Sequence, residues 1–119
     1  MSQPSPKAAF TIPVAAVQLP GEVLAVARQV TAIARRVIAD PAYRVFLFGS
    51  WATGTARERS DIDIGIEGPA PVDPGAMIEI REACGRLGTL RTVDIVDFSR
   101  LARGIRESAA AHVLDLGVL

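Results

Sequence analysis

From Gly21 to Ala39 the apolar residues Val23, Val26, Ala27, Val30, Ile33, Ala34, Val37 and Ile38 recur at helical spacing, with Arg28, Arg35 and Arg36 mostly on the other side. Residues three and four apart share a helix face, so the stretch predicts an amphipathic helix. Asp40-Pro41 ends it, because the residue before a proline avoids helical backbone. Arg44 to Phe48 is apolar without alternation, the pattern of a central strand covered on both faces. Gly49 permits a tight turn and Ser50 is a favoured N-cap, so a short helix is expected from Trp51 to about Gly54. A charged connection, Thr55 to Ser60, leads into Asp61 to Glu67, which alternates strictly. There Ile62, Ile64 and Ile66 face the core, and Asp61 and Asp63 leave the other side together.

A turn-rich loop, Gly68-Pro69 and Pro71 to Pro74, separates this strand from a second amphipathic helix over Ala76 to Leu87. Met77, Ile80, Ala83, Cys84 and Leu87 are its inner face, and Gly88 closes it. Leu90 to Phe98 predicts a third strand, with Val93 and Ile95 on one side and Asp94 and Val96 on the other. Ser99 to Leu116 is expected to be mostly helix, strongest after Gly104, with Ile105, Ala109, Val113 and Leu116 along one face. The apolar end, Val113 to Leu119, is expected either to cap the core or to present a docking surface. At the other end, Met1 to Lys7 with two prolines reads as a disordered tail. Phe10 to Val17 reads as extended or as a short packed arm, and Pro13 argues against a central strand. The chain therefore divides into an N-terminal arm, residues 1–20, and a single α/β domain, residues 21–119.

With 119 residues, half of them apolar, the chain has a core's worth of material for one domain and little more. Thirteen basic and thirteen acidic residues cancel, which argues against a strong non-specific hold on nucleic acid or an anionic membrane. The lone Cys84 can form no intrachain disulfide, and no Cys/His spacing indicates zinc. The apolar stretch Ala8 to Leu19 follows a single lysine and is broken by Pro13, a poor signal peptide, and no stretch is long enough to span a bilayer. A cytoplasmic location is expected.

Two carboxylates leaving one face of a strand repel each other, and a divalent cation removes that repulsion. A serine after a glycine turn offers a hydroxyl and backbone N–H groups to phosphate. Each feature alone has a plain reading, a turn with its cap or a pair of solvated acids. Together with Asp94 they form a set of hard oxygen ligands suited to Mg²⁺ and nucleotidyl transfer.

Gly49-Ser50, ten intervening residues, Asp61-Ile-Asp63 and then Val93-Asp94-Ile-Val resemble the minimal nucleotidyltransferase family of the DNA polymerase beta superfamily. The resemblance covers Val45 to about Val96 and extends loosely to the end of the chain. It implies a mixed sheet flanked by helices, an ATP or other NTP donor, Mg²⁺, and transfer of a nucleoside monophosphate, AMP from ATP, to a hydroxyl. By that resemblance Asp61, Asp63 and Asp94 are the metal ligands and catalytic residues, and Gly49 and Ser50 grip the donor's phosphates. Relatives often carry basic residues just after the Gly-Ser pair; here Trp51 and Thr53 follow it, and Arg57 and Arg59 are the remaining triphosphate contacts. Many small members resemble the antitoxin of a pair whose toxin is a HEPN-domain ribonuclease, which makes such a toxin the expected partner and acceptor. Two other readings use the same residues: an antitoxin that acts by occlusion without catalysis, and a small-molecule nucleotidyltransferase. The second usually needs an extra helical domain. Oligomerisation stays open. Glu67 and Asp97 are expected at the surface of strand ends, Trp51 in the core with base stacking as the alternative, His112 at the surface, and Cys84 in the core.

Overall fold

The computed structural model describes residues 11–119. The expected tail at Met1 to Lys7 lies outside the described residues. In order the chain forms β1 (Thr11–Pro13), α1 (Gly21–Ile38), β2 (Arg44–Phe48), α2 (Ser50–Thr53), β3 (Ile62–Glu67), α3 (Pro74–Gly85), β4 (Val93–Asp97), α4 (Arg103–Ala109) and β5 (Val113–Val118). The five strands make one mixed sheet in the order β1-β5-β2-β3-β4. β2 is antiparallel to both β5 and β3, while β1 runs parallel to β5 and β4 parallel to β3. This is the mixed α/β architecture read from the sequence. Pro13 ends the outermost strand, the kind of position where a missing N–H is tolerated.

Alternation along the strands gives the sheet two unlike faces. On one, Val45, Leu47, Ile62, Ile64, Ile66, Ile95 and Leu114 pack with the apolar sides of α1 and α3 in the main core. The three isoleucines of β3 are fully buried, and each contributes ~1.5–3 kcal/mol relative to exposure. On the other face Phe98 stands edge-on to both Phe46 and Phe48, with ring centroids 4.8 Å apart in each pair, and Ala110 and Val113 complete a smaller core. Gly65 is paired with Phe46, and a Cβ there would collide with the Phe46 ring. That crowding explains a glycine in mid-strand.

The helices obey their terminal signals. Glu22 lies in the first turn of α1 and Arg35 and Arg36 in its last, complementing the helix dipole. The helix stops at Ile38, where Ala39 turns left-handed (φ 51°) ahead of Pro41. α3 starts two residues before its apolar pattern does. Asp73 accepts the Ala76 N–H at 3.0 Å, and Pro74 takes the first helical position, where a missing N–H is harmless. β3 and β4 are trimmed relative to expectation, to Ile62–Glu67 and Val93–Asp97.

The last segment departs from the sequence reading. Helix is confined to Arg103–Ala109, and Val113–Val118 is a strand inserted between β1 and β2. Val113 and Leu116 therefore do not continue a helical face, and Ile105, expected to point inward, is 62% exposed. The segment is no docking tail either, since Val113, Leu114 and Leu119 are buried and the Leu119 N–H bonds Tyr43 O at 2.9 Å. Tertiary pairing outweighs local propensity here: β2 would otherwise leave one edge of buried backbone polar groups unpaired. A register shift between Val45 and Phe46 and the positive φ of Gly117 (111°) fit the late strand to its neighbour.

Candidate active site

β2 delivers the chain to Gly49, whose φ of 73° and ψ of −152° belong to a region open essentially to glycine alone. A single helical turn follows, closed by Gly54 in the left-handed conformation (φ 80°). Gly49, not Ser50, is the N-cap, and Ser50 is the first helical residue. Main-chain bonds hold the turn. Gly49 O accepts from Ala52 and Thr53, and Ser50 O accepts from Thr55 and Ala56, all at 3.0–3.1 Å. Among the described residues the Ser50 hydroxyl makes no hydrogen bond and is left for another partner; the side-chain bonds in the turn belong to Thr53 and Thr55.

Asp63 is paired in register with Phe48 on β2 and with Asp94 on β4. Paired residues on neighbouring strands leave the same face about 4.8 Å apart. The Asp63 and Asp94 side chains are therefore side by side, with Asp61 two positions earlier on the same face. Asp63 is half-buried, whereas Asp61 and Asp94 are exposed. Burial, then the Asp94 charge, then the Asp61 charge raise the Asp63 carboxyl above its ordinary pKa of 3.8. Gly49 closes over this carboxylate, because a Cβ on it would collide with Asp63 Oδ2. The fold thus brings Gly49, Asp61, Asp63 and Asp94 to one place, with Ser50 next to the glycine.

Arg57 and Arg59 lie in the connection that leads to Asp61. Both are exposed in the connection before β3, and neither makes an ion pair among the described residues. The Arg57 N–H donates to Ser60 Oγ at 2.7 Å. Arg59 lines a cleft of about 580 Å³ with Glu22, Glu58, Leu90, Arg91 and Thr92.

The chemistry of the three aspartates fits a hard divalent cation. Burial first, and then the Asp94 and Asp61 charges, work against an ionised Asp63, and a divalent cation would offset that cost without protonation. Among the described residues no three acidic or metal-ligating side chains close into a cage. Mg²⁺ typically takes one or two carboxylates plus substrate phosphates and water rather than an all-protein cage.

Other singled-out residues sort clearly. Glu67 and Asp97, expected at the surface, are 3% and 5% exposed. Asp97 accepts the Val72 N–H at 2.8 Å and the Ser99 N–H at 3.0 Å, and faces Arg100 Nε at 3.4 Å, so it fastens the loop after β3 to the end of β4. Glu67 faces Arg106 of α4 at 3.8 Å. Trp51 packs against the main core and donates from Nε1 to Ser60 O at 3.3 Å. Cys84 is buried, and burial pushes its thiol up to about 11, which keeps it unreactive. His112 is exposed in the bend before β5, not in a helix. Arg91, which the sequence did not single out, is the cation that reaches the site's connecting loop.

Two solved structures share this fold. One is a crystal structure of a toxin–antitoxin with AMP-PNP, 23% identical, with a TM-score of 0.56 over 77% of this chain and 73% of that one. The other is the toxin–antitoxin MntA-HpeT carrying two Asp-to-Glu changes, 22% identical, with a TM-score of 0.57 over 76% of this chain and 72% of that one. No curated protein matches the chain significantly. No helix among the described residues is long and apolar enough to cross a membrane. The family model for polymerase beta nucleotidyltransferases matches residues 39–113, a span that takes in the Gly49-Ser50 turn and all three aspartates. By that match over more than half its length, the chain belongs to the polymerase beta nucleotidyltransferase family.

Proposed function

We propose that this nucleotidyltransferase moves AMP from ATP to a hydroxyl of a partner protein, and that it is the antitoxin of a pair whose partner is a HEPN ribonuclease toxin in the cytoplasm. The observation that carries the catalytic part is the register pair Asp63–Asp94, with Asp61 beside it and the Gly49 turn closed over it. The antitoxin part is supported by the toxin–antitoxin structures that share the fold, one of them with an ATP analogue.

In this reading the Ser50 hydroxyl and the backbone N–H groups of the turn orient the triphosphate, and Arg57 and Arg59 swing onto its outer oxygens. Asp61 and Asp63 would hold an Mg²⁺ ion with the nucleotide, and Asp94 would contribute to a second one. Mg²⁺, when bound, supplies charge neutralisation on the phosphates and lowers the pKa of the acceptor hydroxyl. Asp94, the exposed member of the pair, takes the acceptor's proton. The acceptor oxygen bonds to the α-phosphorus as the bond to the bridging oxygen breaks, and pyrophosphate leaves.

Incubating the chain with α-labelled ATP, Mg²⁺ and the product of a neighbouring HEPN reading frame tests this. Adenylate mass should appear on that protein only while Asp61 and Asp63 are intact. A complex that forms with no added mass would replace transfer by occlusion, and neither complex nor modification would remove the toxin partner.

A further inference from the structure

We infer that Arg91 is a positioning residue that holds the Ser50 turn and the Arg57–Asp61 connection in place relative to Asp94, an inference that rests on the proposed reading of this site as the nucleotide site. Arg91 lies three residues before Asp94, in the bend just ahead of β4, and its side chain is only 14% exposed. From there it reaches three other segments. Nη1 donates to the main-chain oxygen of Glu58, the guanidinium carbon lies 5.5 Å from the centre of the Trp51 ring, and Nε stands 3.4 Å from Glu22 Oε1 at the start of α1.

Among the described residues, the connection it grips has little else to hold it. Residues 55–61 form no helix or strand. Thr55 and Ala56 bond back to Ser50, and Arg57 and Ser60 bond each other. Beyond those local links and a Thr53–Thr55 hydroxyl bond, the loop is tied among the described residues by the Trp51 indole on Ser60 O and by Arg91 on Glu58 O. Trp51 follows Ser50 directly, and Arg91 packs on its face, so one guanidinium braces both halves of the phosphate-facing surface to the strand that carries Asp94. Only arginine can use its fork and its planar face at the same time; lysine offers a single compact charge. The Glu22 contact is secondary, since that carboxylate is 58% exposed and solvent screens it.

The aspartates themselves are fixed by the β3–β4 ladder, so loss of Arg91 should disturb phosphate grip more than chemistry. Arg91→Met keeps the stem packed and removes the fork. Amide hydrogen exchange of residues 55–61 in the nucleotide-free protein should quicken, and the KM for ATP should rise about tenfold, the usual lower bound for losing an outer-shell support, with a smaller change in kcat. Arg91→Lys should recover the fold's stability but little of the KM. Val26→Ala, a core cut on α1, is the control for destabilisation alone and should leave KM unchanged.

Unchanged exchange in Arg91→Met, or a KM shift reproduced by the control, overturns the inference. Lack of transfer by the unaltered chain would sink the proposed reaction without touching this point. Quenching of Trp51, the chain's one tryptophan, by ATP would then report affinity in place of KM, and equal affinities in the unaltered and Arg91→Met proteins, or no binding by either, would overturn it.

Discussion

Gly49 and Asp63 touch so closely that a methyl group on the glycine would collide with the carboxylate. The contact joins the end of β2 to the second residue of β3 and shapes the floor of the site. Gly49→Ala combines that collision with a backbone conformation worth ~1–3 kcal/mol of strain for any other residue. The variant should lose at least that much stability in a denaturant titration, and ATP binding should fall with it. A variant as stable as the parent would mean that the turn relaxes freely and that its geometry is not tuned to Asp63.

Charge removal should act in the opposite direction. The Asp63 carboxyl is raised in the folded state, so its contribution to stability is present below the ordinary pKa of 3.8 and is lost as pH rises through the raised value. At neutral pH the ionised Asp63 is therefore a cost to the fold. Asp61→Asn with Asp63→Asn should raise the Tm slightly at pH 7, with the difference shrinking in acid, while nucleotidyl transfer drops to background. Mg²⁺ should raise the Tm of the parent at pH 7 and leave the double variant unmoved. Undiminished transfer in the double variant would end the catalytic assignment of these two residues.

In the proposed reaction Asp94 has a different task from its neighbours. It is exposed and is proposed to take the acceptor's proton, so Asp94→Asn should cut the transfer rate by roughly 10²–10⁴-fold, the usual contribution of a general base, with less effect on ATP affinity. It also removes one of the two charges that raise Asp63, although burial, the larger cause, remains. An ATP affinity lost to the same degree in Asp94→Asn and Asp61→Asn would contradict this division.

The sheet's centre was legible because strands β2 and β3 carry unambiguous patterns. Alternation in Asp61–Glu67 places the isoleucines inward and both aspartates on one outer face without knowledge of the register. Val93 to Val96 did the same for Asp94. The C-terminal strand was not legible, because Ile105, Ala109, Val113 and Leu116 fall at spacings that also suit a helix, and only the vacant edge of β2 decides between them. Glu67 and Asp97 looked like surface acids because each is buried by a partner far along the chain, Arg106 for Glu67 and Val72 for Asp97. Beside its near neighbours Ser99 and Arg100, the Asp97 carboxylate accepts from Val72, 25 residues away. Arg91 was invisible for the same reason, since its acceptor Glu58 is 33 residues away and nothing in the local pattern of Leu90 to Val93 marks a brace.

Ser50 separates a phosphate ligand from a structural cap. In the sequence a serine before a helix reads as an N-cap, whose loss costs about 1 kcal/mol. In the fold Gly49 holds that position, the turn closes through main-chain bonds to Gly49 O and Ser50 O, and the hydroxyl supports none of them. Ser50→Ala should therefore stay within about 0.5 kcal/mol of the parent in stability, like other substitutions that break no contact. A hydroxyl donating to a charged phosphate contributes ~1.5–3 kcal/mol, so ATP affinity should fall by about 10- to 100-fold. Calorimetric titration of ATP·Mg²⁺ into both proteins, beside their melting curves, measures the two quantities together. Equal affinities would make the turn a piece of architecture only, and a large loss of stability with the affinity intact would return Ser50 to the role of a cap.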